Sequence, residues 1–247
     1  MRYVTSIALP AIVLLALTAP ACDDGSTTDP NGSANPTDPT TPTEPSDPTE
    51  PDPTDIPDEP EQPLLEYPPG PYGGEYLDII ANLSFYDPWM GIDYSLSDYL
   101  GDPETKVIVI TSGAGWCTAC QYEAWDLVET YDKYHLDGLE VLYTLYEDVK
   151  GKTLWRDGAS ADEIDADFTF MNDFRKYLGY SIDLEPREAN YPMLVDIGFK
   201  LGAYYDKAAT PLTLIVRTSD MRILYRQIGY SPGAIETIVK GVLFAPK

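Results

Sequence analysis

The apolar run Val107-Ile108-Val109-Ile110 is followed, a few residues on, by Cys117-Thr118-Ala119-Cys120. The run reads as a buried strand. From Cys117 to about Lys133, Ala124, Trp125, Val128 and Tyr131 recur at helical spacing. A chain that turns from strand into amphipathic helix through Cys-x-x-Cys is constrained on both sides of that turn. Two intervening residues seat both sulfurs in the first helical turn, where they can close a small ring. Unpaired N–H groups there carry partial positive charge and favour a thiolate over a thiol. The pattern predicts a dithiol/disulfide redox centre, with Cys117 as its exposed, nucleophilic sulfur.

The rest of the chain divides by composition. Residues 1–21 read as an export signal: Arg2 as a minimal basic start, an apolar stretch from Val4 to Leu17, then small residues at Ala19 and Ala21. The apolar stretch is too short to prefer a spanning helix. Leu17-Thr18-Ala19-Pro20-Ala21-Cys22 resembles a bacterial lipoprotein processing site, which implies cleavage after Ala21 and a lipid on Cys22. Ala19 stands where leucine is usual, so ordinary secretory cleavage at Ala-Pro-Ala is the alternative. The chain has three cysteines. Pairing Cys117 with Cys120 leaves Cys22 odd, and acylation would remove that free thiol from an oxidising compartment.

Residues 23–66 contain 11 prolines and 13 acidic residues with no Lys or Arg. Such a segment cannot bury a core, and residues 22–66 are expected to form a disordered, acidic Pro/Thr-rich tether. Its forty-odd residues at about 3.1 Å each would reach at most roughly 140 Å. Residues 67–247 hold 15 basic and 28 acidic residues of a chain whose formal charge is −25. No basic patch is concentrated anywhere, which argues against nucleic acid and anionic lipid head groups as partners. About 180 residues remain for one folded domain, spanning 67–247.

Within that domain, aromatic and apolar residues over 76–100 predict a short strand pair and a turn of helix near Leu96–Leu100. Strands are expected at 106–112 and Leu139–Tyr146, with Gly138 ending the connection before the second. A helix follows from about Asp162 to Leu178, with Phe170, Phe174 and Tyr177 on one face and Gly179 as its stop. Tyr191–Ile197 reads as a short strand or extended segment, and Leu201–Tyr205 as a helical turn. Leu212–Arg217 and Arg222–Gln227 form a hairpin around Thr218-Ser219-Asp220-Met221. A last helix runs from about Pro232, suited to a first turn, to Leu243. This succession predicts an α/β fold.

With these elements in place, residues 76–247 resemble the thioredoxin superfamily, in its exported, membrane-tethered TlpA/ResA-like branch. Trp116-Cys117-Thr118-Ala119-Cys120 matches the family's Trp-Cys-x-x-Cys. Ala209-Thr210-Pro211-Leu212-Thr213 matches the segment that carries its cis-proline. Tyr191-Pro192-Met193-Leu194-Val195-Asp196 and Ile228-Gly229 match its flanking motifs. The resemblance implies a central mixed β-sheet flanked by helices, and a redox-active Cys117–Cys120 disulfide with no other cofactor. It also implies a cis Thr210–Pro211 bond, with the main chain of Thr210 free to pair with an extended substrate and Trp116 walling the groove. Glu123, one turn beyond Cys120, sits where ResA-like proteins carry glutamate, which implies a role in taking the proton of Cys120. An acid in the early turns of a helix is also commonplace. The chain departs from the family at Ala119, where proline is frequent, at Thr111, where thioredoxin has a buried aspartate, and at Trp125, where a helix-bending proline is usual. Residues 147–163 exceed the family's minimal core and carry no role from it.

The implied activity is thiol-disulfide exchange with exported protein thiols and disulfides, in the reducing direction, with a membrane electron donor. The implied location is the bacterial cell envelope, the domain lipid-anchored and facing periplasm or exterior. A non-catalytic binding module with a fixed disulfide is the alternative. A peroxiredoxin-type peroxidase would need proline and threonine where Ile110 and Ala114 stand. Metal is not expected: two thiols and a single histidine, His135 at the far end of the same helix, do not complete a four-ligand zinc site.

Overall fold

The computed structural model describes residues 65–245. The expected export signal, Cys22 and nearly all of the tether lie outside the described residues. Ten elements follow one another: β1 (Ser84–Asp87), β2 (Ile92–Ser95), β3 (Val107–Ala114), α1 (Thr118–Tyr134), β4 (Leu139–Glu147), α2 (Ala161–Lys176), β5 (Met193–Val195), β6 (Leu212–Arg217), β7 (Arg222–Ile228) and α3 (Ala234–Leu243). The strands form one seven-stranded sheet in the order β2-β1-β5-β4-β3-β6-β7. β3, β4 and β5 run parallel, and the other pairings are antiparallel. A parallel pair bridged by the dithiol helix, then an antiparallel hairpin and a closing helix, is a thioredoxin-like α/β arrangement.

β3 lies inside the sheet, between β4 and β6, and all eight of its residues are buried. A strand covered on both faces needs apolar side chains in both directions, which is why Val107–Ile110 reads as a continuous run rather than an alternation. Val107 and Val109 pack with Ala124, Leu127 and Val128 of α1, Met171 of α2 and Ile235 and Val239 of α3. Ile108 and Ile110 face the other way, against Ile80, Phe85, Leu96, Leu201, Met221 and Ile223. Each such buried side chain contributes about 1.5–3 kcal/mol relative to exposure. All three α-helices therefore serve one core, and the opposite face is closed by the N-terminal segment and short 3-10 turns. This narrows the expectation of a sheet simply flanked by helices.

Other boundaries also shift. The strand pair falls at 84–95. Residues 77–80 instead run beside the sheet edge, with Leu77 N–H donating to Ile223 O, Ile223 N–H to Asp78 O and Ile80 N–H to Met221 O. Pairing of this kind covers an edge strand that would otherwise be open. Tyr191–Ile197 contains a true strand, β5, parallel to β4. Pro232 precedes the last helix, whose N-cap is Gly233 at φ 68°. Residues 148–156 are pinned to α2 through the buried carboxylate of Asp167, which accepts from Lys152 Nζ at 2.8 Å and from Trp155 N–H at 2.9 Å. No helix among the described residues is long and apolar enough to cross a membrane.

Candidate active site

Cys117 is the N-cap of α1, in extended conformation, and its sulfur accepts from the Cys120 N–H at 3.0 Å. The two cysteines are joined in a disulfide with Cα atoms 5.2 Å apart. Strand β3 delivers the chain to this turn, and Gly113 lets it pass closely. A Cβ at Gly113 would stand 2.9 Å from Tyr143 Oη and 3.2 Å from Cys120 Cβ. At Gly115 it would stand 2.5 Å from the Phe170 ring and 2.8 Å from Val149 N. The phenol of Tyr143, on β4, donates to Cys120 O at 2.8 Å and fixes the helix start from below.

Cys117 retains 5% of its surface and Cys120 none. The first sulfur is thus the accessible one of the two, but far less exposed than its place in the motif suggested. The loop before β6 lies over it. Cys117 Sγ is 3.8 Å from Thr210 O, and Cys120 Sγ is 3.6 Å from Thr210 Oγ1. The Thr210–Pro211 peptide bond is cis. Thr210 has extended dihedrals of −71° and 148°, and its N–H and C=O make no main-chain hydrogen bond among the described residues. Its hydroxyl lies 3.2 Å from Ser112 O, to which it donates, and the Tyr205 phenol bonds Ser112 Oγ at 2.8 Å. Those contacts hold the loop against β3.

Trp116 is 44% exposed. Its indole N–H donates to Glu147 Oε2 at 2.9 Å, and the other carboxylate oxygen accepts from Lys207 Nζ at 2.7 Å. Lys207 belongs to the loop that ends at Thr210. Glu147, at the end of β4, therefore ties the tryptophan that precedes Cys117 to the loop that ends at Thr210.

Glu123 is fully buried, and no hydrogen bond joins it to either sulfur in this oxidised state. One carboxyl oxygen accepts from Thr213 Oγ1 at 2.9 Å, and the other has no partner. The Thr111 hydroxyl is near enough to favour the charged form but reaches no hydrogen-bond geometry. Burial dominates, and it pushes the Glu123 carboxyl from 4.5 up to about 8.

The structure thus gathers Cys117, Cys120, Thr210 and Pro211, sets Trp116 at their rim and puts Glu123 in the core beneath. The sequence reading missed Gly113, Tyr143, Glu147, Tyr205 and Lys207. Gly113 was visible as a lone glycine in an apolar strand, a sign of close approach. Partners such as Glu147 and Lys207 become neighbours only when β4 and β6 flank β3. His135 ends α1, its Nδ1 2.9 Å from Tyr131 O. Among the described residues no group of three or more His, Cys, Asp and Glu is arranged to hold a metal ion.

No protein-family model matches the chain, and no curated protein matches it. Solved structures similar to it include a thiol:disulfide interchange protein from Bacteroides sp., with 11% identity, a TM-score of 0.47, and 70% of this chain and 93% of that one covered. A secreted thiol-disulfide isomerase from Corynebacterium glutamicum has 14% identity, a TM-score of 0.47, and covers of 67% and 85%. The pneumococcal exposed lipoprotein thioredoxin Etrx1 from Streptococcus pneumoniae has 22% identity, a TM-score of 0.42, and covers of 65% and 98%. With identities this low, the account of the fold and the site rests on the topology and distances above.

Proposed function

We propose that the chain is an exported thiol-disulfide oxidoreductase that reduces disulfides of exported proteins. One observation carries this reading. A Cys-x-x-Cys disulfide caps a seventeen-residue helix beneath an unpaired stretch of main chain, with only its first sulfur reachable.

In the reduced protein, the Cys117 thiolate is stabilised by the helix N-terminus and attacks a substrate disulfide. One substrate sulfur leaves as thiolate and the other is held in a mixed disulfide with Cys117. Cys120 then gives up its proton and attacks Cys117 Sγ, which releases the second substrate sulfur. Two electrons pass from the protein dithiol to the substrate. Glu123 is the carboxyl assigned to receive the Cys120 proton as that step proceeds, and it does so in its ionised form, which burial makes the major one only above about pH 8. Thr210, with N–H and C=O free, pairs with the substrate backbone, while Pro211 and Trp116 bound the groove. A membrane electron donor returns the electrons. Cys22, lipidated after cleavage of residues 1–21, tethers the domain to the cell envelope through residues 22–66.

The test is the reduction potential of the Cys117–Cys120 pair, equilibrated against glutathione and dithiothreitol buffers. A value at or below about −250 mV supports a reductase, and one near about −120 mV reverses the direction to an oxidant. A disulfide that resists reduction throughout would overturn the exchange reading. It would favour a binding module, the one alternative that the near-burial of Cys117 supports.

A further inference from the structure

A cleft of about 680 Å³ opens beside the dithiol, between the start of α1 and the length of α2. Its walls are Val149, Phe170, Phe174, Tyr177 and Tyr180, and Gly115 and Gln121 close it at the dithiol end. Clefts of this size lined by aromatic side chains are those that bury a ligand's apolar surface. Val149, Tyr177 and Tyr180 are more than half exposed, and apolar groups left in water along one rim mark an interaction surface.

The cleft is continuous with the site described above. Gly115 lies two residues before Cys117, a span of at most about 7 Å. The Gln121 side chain donates to Gly115 O at 2.9 Å and is itself held by Ser181, so the cleft wall is fastened to the helix that carries the sulfurs. Asp173 is the one charged side chain lining the cleft, and it forms no ion pair among the described residues. The surrounding domain is acidic, with 28 acidic against 15 basic residues over 67–247.

We infer that this cleft is a substrate subsite. Its occupant is a segment of a disulfide-bearing protein that places an aromatic or large aliphatic side chain, with a basic neighbour, two or three residues from the cysteine under attack. In an extended segment two or three residues reach about 7 to 10 Å, enough to pass from Cys117 to Gly115 at the dithiol end of the cleft. The unpaired Asp173 meets the basic neighbour. The inference names the substrate class of the proposed oxidoreductase and rests on that reading.

The experiment uses the full reduced chain and two symmetric peptide disulfides. One has Phe three residues from its cysteine with Lys beside it, and the other has Ser in place of Phe. Glutathione disulfide, which carries no aromatic or large aliphatic side chain to fill the cleft, is the reference. The Phe peptide is expected to be reduced about ten- to a hundredfold faster than the Ser peptide. In the double variant Tyr177→Ser, Tyr180→Ser, both at exposed positions, that preference is expected to collapse while the glutathione disulfide rate is unchanged. Equal rates for the two peptides in the unaltered chain would overturn the subsite, as would a Phe preference that survives the double variant. If neither the peptides nor glutathione disulfide is reduced, the exchange chemistry itself fails and the subsite falls with it. If the preference emerges only when residues 1–64 are removed, the chain's own N-terminal segment is the occupant and the inference is wrong.

Discussion

Glu123 lies wholly within the core, one carboxyl oxygen on Thr213 and the other on nothing. An acid so placed keeps its proton up to about pH 8, against 4.5 for an ordinary glutamate. Between those values the folded protein binds more protons than the unfolded chain, so stability falls as pH rises from about 4.5 to 8 and levels off above. At about 1.36 kcal/mol per unit, the whole loss is at most about 5 kcal/mol. Glu123→Gln keeps an acceptor for Thr213 and cannot ionise. It should match the parent near pH 4.5 and exceed it by a few kcal/mol at pH 8.5. Urea unfolding across that range reads the difference, and parallel curves for the two proteins would refute the buried, neutral acid. Gly113 makes a second residue-scale case. A methyl group there enters the contact between Tyr143 Oη and Cys120 Cβ, so Gly113→Ala should cost about 1–3 kcal/mol in the same assay. An unchanged midpoint would show that the helix start has room to move.

Among the elements, the junction of β3 and α1 was legible because its signals are local: an apolar run, a cysteine pair, then residues at helical spacing. β4, α2 and the β6–β7 hairpin were legible for the same reason. Residues 76–80 were not. Their apolar residues resemble a strand, yet they serve as an edge cover whose partners, Met221 and Ile223, lie about 140 residues away. The three-residue strand β5 is too short to show alternation, and pairing with β4 and β1 defines it. The bridge at the end of β4 was equally hidden, because Glu147 reads alone as a charge ending a strand. In the fold it joins Trp116 Nε1 to Lys207 Nζ. Lys207 is 41% exposed, so the ion pair contributes at most about 1 kcal/mol to stability. Its consequence lies in position. Glu147→Gln should leave the unfolding midpoint nearly unchanged, shift the Trp116 indole N–H resonance, and lower kcat/KM on protein disulfides several-fold more than on glutathione disulfide. Equal losses on both substrates would assign Glu147 to the chemistry at sulfur instead of to the groove.

At the scale of the whole molecule, the composition break near residue 66 nearly coincides with the first packed side chains among the described residues. Tyr67 packs against the core on the face away from the α-helices, and its phenol donates to Ile80 O at 3.0 Å. Ile80 is completely buried, in the same cluster as Ile108, Leu214 and Ile223. The segment 67–80 is therefore part of the fold, even though it contains no named strand. Two shortened chains separate these possibilities. One that begins at residue 65 retains every packed residue among those described and should match the full chain in unfolding midpoint and in the reduction potential of Cys117–Cys120. One that begins at residue 82 loses Ile80 and uncovers β7. The missing isoleucine alone should cost about 2–5 kcal/mol, with further loss from the freed main-chain partners at Met221 and Ile223. Urea unfolding of the three chains compares them directly. Equal stability in all three would mean that the second face of the sheet closes without its N-terminal cover. A drop already at residue 65 would place part of the folding energy in the acidic, proline-rich segment, which its composition argues against.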